Sequence, residues 1–139
     1  INLINPHLKE VDDGVIASSI IHEAIHVYLY LLEEQSLLIE DESFAYDARI
    51  NSPWSNKLIH PRAYLHASFV WFALFHFWLS PKMNERFNAS VRDYFISFCL
   101  QGFKKGESFN RLKPYRNKFS EPVLDAANDL LVRMKKHGA

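Results

Sequence analysis

The sequence predicts a mainly α-helical, compact domain, and three observations support this. Three long apolar stretches are each of helical length and are separated by proline or charged residues. Near the C-terminus, apolar residues recur every three or four positions, as on one face of an amphipathic helix. The 139 residues include 48% apolar and 14% aromatic side chains, enough to bury a dense core. We therefore expect a single domain over residues 1–139, and a start at Ile1 rather than Met is compatible with a fragment of a longer protein.

The first apolar stretch predicts a helix that begins after a capping aspartate, Asp12 or Asp13, and ends near Gln35. Between the cap and Glu33, the sole formally charged residue is Glu23. The apolar residues of this stretch lie around most of the helix circumference, which is typical of a helix in the middle of a core. Glu33 and the acidic residue after it predict a return to solvent. We therefore expect this helix to be central and buried.

Residues 37–60 form a long stretch without a clear helical period. Loops of this length in compact domains are usually lids or binding loops. Phe44 and Tyr46 alternate with polar neighbours, which permits short strand pairing. We expect one long functional loop here.

Pro61 predicts the start of a second apolar helix, which has no formal charge from Ala63 to Ser80. Its length approaches that of a membrane span, so a membrane hairpin formed with the first helix is an alternative. Ionisable residues of both helices, including His66 and His76, would then lie at membrane depth at a high energetic cost. A packed core without a membrane is therefore expected.

Two more helices are predicted after Pro81, which breaks the second one. One is expected from Met83 to Phe103, with Gly102 and Gly106 at its end. A basic loop over residues 104–119 leads to the last, amphipathic helix, Glu121 to Lys136, capped by Ser120.

Charge and cysteine content limit the classes of partner and compartment. The formal net charge is zero, yet residues 1–50 carry ten acids and residues 81–119 carry nine basic residues. These two regions are expected to meet each other, or the basic one to meet an acidic partner. Without stacking aromatics on a basic face, nucleic acid is not expected. The single cysteine, Cys99, permits no disulfide within the chain and suits a reducing, cytoplasmic setting.

The functional interpretation depends on the pattern His22-Glu23-Ala24-Ile25-His26. Histidines four residues apart on a helix lie one above the other and can bind one metal ion. With seven histidines in the chain, only about 0.02 such patterns are expected by chance. An acid inside an apolar helix also needs compensation, which a divalent cation would supply. The alternative is a buried helix whose histidines bind only protein groups, but two histidines flanking an acid favour a metal.

A catalytic metal normally takes three protein ligands and keeps other positions open, so a third ligand is needed. His66 is the strongest candidate, because it lies near the start of the second helix with Arg62 one turn before it on the same face. His60 is expected in the loop, and His76 is expected in the core and rotated away from the ligand face. The remaining carboxylate candidates are Glu40, Glu42 and Asp47.

At this point the sequence resembles a family of 2-oxoglutarate-dependent peptide β-hydroxylases that carry an H-E-x-x-H motif and modify ribosomally made peptides. The resemblance extends over roughly residues 15–80, although Pro61-Arg62 reverses the order found in the family. It is carried by four segments: His22-Glu23-Ala24-Ile25-His26, Ser52-Pro53-Trp54, Pro61-Arg62 and Leu65-His66-Ala67-Ser68-Phe69-Val70.

The resemblance implies an enzyme with Fe(II) bound by His22, His26 and His66, and with 2-oxoglutarate and dioxygen as co-substrates. The reaction would hydroxylate a side-chain carbon of a precursor peptide. A cation must hold the distal carboxylate of 2-oxoglutarate, and Arg62 is placed best, with Arg49 second. A solvated surface arginine is the alternative for Arg62. Three histidines also differ from the two-histidine, one-carboxylate set usual for non-haem iron oxygenases.

Two other functions remain open on the sequence alone. In a zinc peptidase, Glu23 would be the general base that acts on metal-bound water. Its side chain is offset by about 100° from that of His22, so it approaches the open side of the metal without being a ligand. The third histidine of the H-E-x-x-H-x-x-G-x-x-H pattern is missing, however. A helical binding protein without a metal is the third possibility.

Overall fold

The computed structural model describes residues 13–36, 38–39, 47–104 and 110–138. These residues form five α-helices, one 3-10 helix and a two-stranded antiparallel sheet, which confirms the mainly α-helical prediction. The elements in chain order are α1 (Asp13–Gln35), β1 (Ile50–Asn51), β2 (Leu58–Ile59), α2 (Pro61–Leu79), α3 (Pro81–Arg86), α4 (Ala89–Lys104), the 3-10 helix (Asn110–Lys118) and α5 (Glu121–Lys135).

The central helix is α2, not α1 as the sequence suggested. α2 packs against α1, α4 and α5 and has nine buried residues, whereas α1 has only two, Gly14 and Leu29. Both helices are apolar around most of their circumference, and composition does not show how many neighbours each one meets. α1 therefore lies on the flank of α2, and its motif is supported from one side.

α1 and α2 run antiparallel, and four side-chain contacts follow their shared length. The contacts are Ser18 with Trp78, His22 with Trp71, His26 with His66, and Glu33 with Arg62. α4 lies on the other flank and is antiparallel to α2, since Trp78 stacks on Phe95 and Trp71 meets Phe98 edge to face. The face of α2 between α1 and α4 is thus the floor of a groove.

Strand pairing does occur within the segment predicted as a long loop. β1 and β2 pair Ile50 with Ile59, whereas Phe44 and Tyr46, where pairing was expected, lie outside the described residues. The turn between the strands carries Trp54 into the core, where its indole N–H donates to the Cys99 carbonyl at 3.0 Å. The described part of this segment therefore packs against α4 through Trp54, and its role as a lid stays a prediction.

The region after Pro81 contains two helices instead of the single predicted one. α3 ends at Arg86 and α4 begins at Ala89. Asn88 lies between them, and its side-chain oxygen accepts from the Val91 amide at 2.9 Å, as an N-cap does. Gly102 lies inside α4 and does not end it, while Gly106 lies outside the described residues.

The C-terminal helix α5 has the predicted bounds to within one residue. Its buried side is formed by Val123, Ala127, Leu130 and Met134. Ser120 precedes it in an extended conformation but makes no side-chain cap bond. Much of the expected basic loop is the 3-10 helix.

α1 exposes an apolar side to solvent, opposite the histidines. Its large exposed side chains include Ile20, Val27, Tyr28 and Leu31. Among the described residues, α1 is also the one helix long and apolar enough to cross a membrane, judged by length and composition alone. The helical period explains this arrangement, because at about 100° per residue these four side chains fall within roughly 100° of one another around the helix.

Candidate metal centre

The two motif histidines lie on one face of α1, as their spacing requires. The ring centroids of His22 and His26 are 4.7 Å apart, with the planes at 67°. Metal–nitrogen bonds of about 2.0–2.1 Å place two imidazoles on one ion with centres roughly 5 Å apart. The spacing of this pair therefore suits a shared ion. Glu23 lies beside His22, with its Oε1 3.5 Å from Nδ1.

His66 reaches the motif from α2, on the first turns of that helix. It is 2% exposed, and its ring centroid lies 5.9 Å from that of His26. Tyr30, one turn after His26, has its ring 5.2 Å from His66. The structure thus brings the predicted third histidine next to the motif.

Glu33 is the functional candidate that the sequence interpretation missed. It was expected to mark the return of α1 to solvent, yet its side chain is only 9% exposed. Its Oε1 accepts from Arg62 Nε at 2.9 Å and contacts His66 Nε2 at 3.0 Å, and its Oε2 pairs with Arg62 Nη2. Glu33 follows His26 by seven residues, two helical turns, and so lies on the same face. That spacing was the available signal.

The protonation of this cluster favours metal binding. Burial lowers the pKa of His26, and the neighbouring His22 and His66 lower it further. Burial also lowers the pKa of His66, although Glu33 acts in the opposite direction. Burial would raise the pKa of Glu33, but hydrogen bonds from Arg62 and His66 outweigh it and the pKa is lowered. Neutral histidines beside an ionised carboxylate are the forms that metal centres use.

The tautomer of His66 follows from its partner. An ionised carboxylate only accepts hydrogen bonds, so His66 Nε2 must carry the proton that it donates to Glu33. The lone pair of a neutral His66 is then on Nδ1. The Nδ1 atom of His26 is buried and has no hydrogen-bond partner among the described residues, which is a cost that a bound metal ion or an ordered water would remove.

The donor set fits a transition metal by its chemistry, since imidazole suits iron and zinc alike. The ring nitrogens of the candidate ligands nevertheless do not converge on a single position for the ion. Within the described ranges no three His, Cys, Asp or Glu side chains are grouped closely enough to hold an ion. His66 Nε2 is directed at Glu33, so its ring is oriented by the carboxylate rather than by His22 and His26.

The other predicted residues lie as follows. Arg62 binds Glu33 with a side chain that is 40% exposed, and Arg49 donates from Nη1 to the Ala48 carbonyl. His60 is exposed at the N-cap of α2, as a loop residue should be. His76 is exposed and was wrongly placed in the core; it contacts the rings of Phe72, Phe75 and His137.

The carboxylates proposed as alternative ligands are not brought to the cluster by any described contact. Asp47 is exposed in a turn, whereas Glu40 and Glu42 lie outside the described residues.

Comparisons of the chain with protein families, with curated proteins and with solved structures find no match.

Proposed function

We propose that this protein is a non-haem Fe(II)- and 2-oxoglutarate-dependent oxygenase that hydroxylates a side-chain carbon of a peptide. The observation that carries the proposal is the cluster of three imidazoles from two helices, in which the Nδ1 atom of His26 has no partner in the described part of the chain. The resemblance of the motif segments to peptide β-hydroxylases supplies the reaction class. A ribosomally made precursor peptide in the cytoplasm is the proposed substrate.

In this proposal His22, His26 and His66 hold the iron. The bound iron and 2-oxoglutarate supply the oxidising chemistry when present. Glu33 positions His66 by accepting its Nε2 proton, and Arg62 holds Glu33 in turn. Such outer partners fix the tautomer and orientation of a ligating histidine and raise its basicity.

Arg62 and Arg49 are the proposed cations for the distal carboxylate of 2-oxoglutarate. Arg62 has the planar fork that carboxylates prefer, and it already binds one carboxylate, that of Glu33. Arg62 would thus hold Glu33 and bind the distal carboxylate of 2-oxoglutarate at the same end of the imidazole cluster, the end nearest the start of α2.

Anaerobic titration of the Fe(II)-loaded protein with 2-oxoglutarate tests this function. Chelation of Fe(II) by the keto acid gives a visible charge-transfer band that zinc does not give, and succinate should form after air is admitted. The absence of both the band and succinate would exclude the oxygenase. Arg62→Ala and Arg49→Ala then assign the carboxylate anchor, because loss of a charge-assisted pair should weaken 2-oxoglutarate binding about ten- to a hundredfold.

A zinc peptidase is the second candidate, favoured by the position of Glu23. This carboxylate is 39% exposed beside His22 and lines a cavity at the end of the motif, where a general base could reach water. In a peptidase, Glu23→Gln should abolish peptide hydrolysis while zinc remains bound. In the oxygenase, the same variant should still produce succinate from 2-oxoglutarate.

A further inference from the structure

A cavity of about 310 Å³ lies in the groove between α1, α2 and α4. It is at the lower end of the range for ligand pockets and could hold about ten water molecules, or one bulky side chain. Its floor and far wall are apolar and mainly aromatic. They are formed by Trp71, Leu74 and Trp78 of α2 and by Tyr94, Phe95, Phe98 and Cys99 of α4.

The wall formed by α1 is the most polar part of the lining. Its polar groups belong to Ser18, Ser19, His22 and Glu23. Both serines have partners within the fold, since Ser18 accepts from the Trp78 indole N–H at 3.0 Å and Ser19 donates to the Val15 carbonyl at 2.8 Å. Among the described residues of the lining, Glu23 is the one with a formal charge, so a ligand with a positive group is complementary to it.

We infer that this cavity is the side-chain pocket for the peptide, and that it takes an aromatic side chain next to a basic residue whose cation pairs with Glu23. The inference rests on the proposed function, because it supplies the substrate class for that same site. An aromatic ring gains both apolar burial and edge-to-face contacts against this lining. The cation faces the carboxylate at the cavity rim.

The position of the cavity suits this role. His22 belongs both to the cavity lining and to the imidazole cluster. The opposite end of the cluster, at Glu33 and Arg62, lies on the far side of His26 along α1. A side chain seated in the cavity therefore lies beside the motif and at the opposite end from the arginine.

Peptide binding to the metal-free protein, measured by calorimetry and by tryptophan fluorescence, tests the inference independently of metal and of 2-oxoglutarate. The probes are three hexapeptides with Phe-Lys, Phe-Glu or Ala-Lys at the centre and glycine on both sides. Phe-Lys should bind about ten- to a hundredfold more tightly than Ala-Lys, because the ring is buried. It should also bind several-fold more tightly than Phe-Glu at low salt.

A pair of matched variants tests whether the peptide binds in the cavity. Ser19→Phe adds a ring to the cavity wall and should weaken Phe-Lys binding at least tenfold, whereas Ile20→Phe adds the same ring on the exposed side of α1 and should not. Glu23→Gln should remove the preference for Phe-Lys over Phe-Glu and keep the preference over Ala-Lys. Because Glu23 is partly exposed, this variant serves even if Ser19→Phe fails to fold.

Equal binding of Phe-Lys and Ala-Lys, or unaltered binding in a folded Ser19→Phe protein, would overturn the inference. So would absence of all peptide binding together with self-association in sedimentation, since a second copy would then occupy the groove. A Fe(II)/2-oxoglutarate band with no peptide preference would overturn the pocket assignment alone. Peptide binding without the band would overturn the oxygenase and retain the pocket.

Discussion

The carboxylate of Glu33 connects two functional side chains, His66 and Arg62. One oxygen contacts His66 Nε2 and Arg62 Nε, and the other pairs with Arg62 Nη2. Because the carboxylate is largely buried, water cannot easily replace these partners. The orientation of His66 therefore depends on a residue of α1, although His66 itself belongs to α2.

Replacing Glu33 with glutamine should weaken metal binding about ten- to a hundredfold, because the acceptor that orients His66 loses its charge. The measurement is competition of the purified protein with a chelator for added Zn²⁺ or Fe(II). The control is Glu34→Gln, at the neighbouring exposed acid. Equal affinity in the two variants would show that His66 is oriented by other groups, or that it is not a ligand.

Cys99 predicts a loss of stability at alkaline pH. The thiol is 1% exposed, and burial raises its pKa from 9.0 to about 12. A group whose pKa is raised on folding contributes stability that is complete below its unfolded pKa. That stability is lost as the pH rises toward the folded value. The contribution should therefore be complete below pH 9.0 and fall by up to about 1.4 kcal/mol per pH unit above it.

Urea unfolding of wild type and Cys99→Ala at pH 7 and at pH 10 measures this effect. The variant is expected to be less stable at both values because it leaves a cavity, but its loss between the two pH values should be smaller by about 1 kcal/mol. The two proteins differ only at position 99, so the contributions of all other groups cancel in the comparison. Parallel pH dependence in the two proteins would show that the thiol is accessible to water in the folded state.

At the scale of the elements, the hairpin turn and α4 approach each other closely. A Cβ added at Gly102 would overlap the indole ring of Trp54, and that indole donates to the carbonyl of Cys99 one turn earlier in α4. The glycine is needed for the close approach of the ring and not for helix termination. Trp54 thus anchors the turn of the β1–β2 hairpin to the helical core, in which Ile50 of β1 is also buried.

Gly102→Ala should destabilise the protein, in spite of the better helix propensity of alanine. The propensity gain is at most about 1 kcal/mol, whereas overpacking against a buried, rigid ring costs about 1–3 kcal/mol or more. We expect a net loss of roughly 1–2 kcal/mol in the free energy of unfolding. The loss should shrink in a Trp54→Phe background, and a double-mutant cycle measures that coupling. Additive effects would mean that the two residues do not touch.

The bounds of α1, α2 and α5 were predictable, because apolar stretches, prolines and charged residues mark helix ends locally. The break between α3 and α4 was not predicted, since it depends on one capping residue, Asn88, inside a continuous apolar pattern. His66 could be nominated from its place beside Arg62. The seven-residue spacing from His26 places Glu33 on the histidine face, but its burial is produced by α2 and is not visible in α1 alone.

For the molecule as a whole, α1 is the least embedded of the long helices. It packs on one flank of α2, and its opposite side is apolar and exposed. Helices with few buried contacts open at lower free energy than the core. The imidazole cluster lies across the boundary between α1 and α2, so an ion bound there would join the weaker element to the stronger one.

Metal binding should therefore protect α1 selectively. An ion held jointly by His22, His26 and His66 binds only when α1 is docked on α2, so it stabilises docking by RT ln(1 + [L]/Kd), about 2.7 kcal/mol at a hundredfold excess over Kd. Hydrogen exchange with and without Zn²⁺ should show α1 amides slowed by up to roughly a hundredfold, with α5 amides little changed. His66→Ala should abolish the protection, because the remaining ligands, His22 and His26, both belong to α1 and cannot join it to α2. The single variants His22→Ala, His26→Ala and His66→Ala should also lose the metal itself, as measured by elemental analysis. Full metal content in His66→Ala would exclude His66 and transfer the search to Asp47, Glu40 or Glu42.

For the exchange measurement, stoichiometric metal in wild type without slower exchange of the α1 amides would place the ion away from the boundary between α1 and α2.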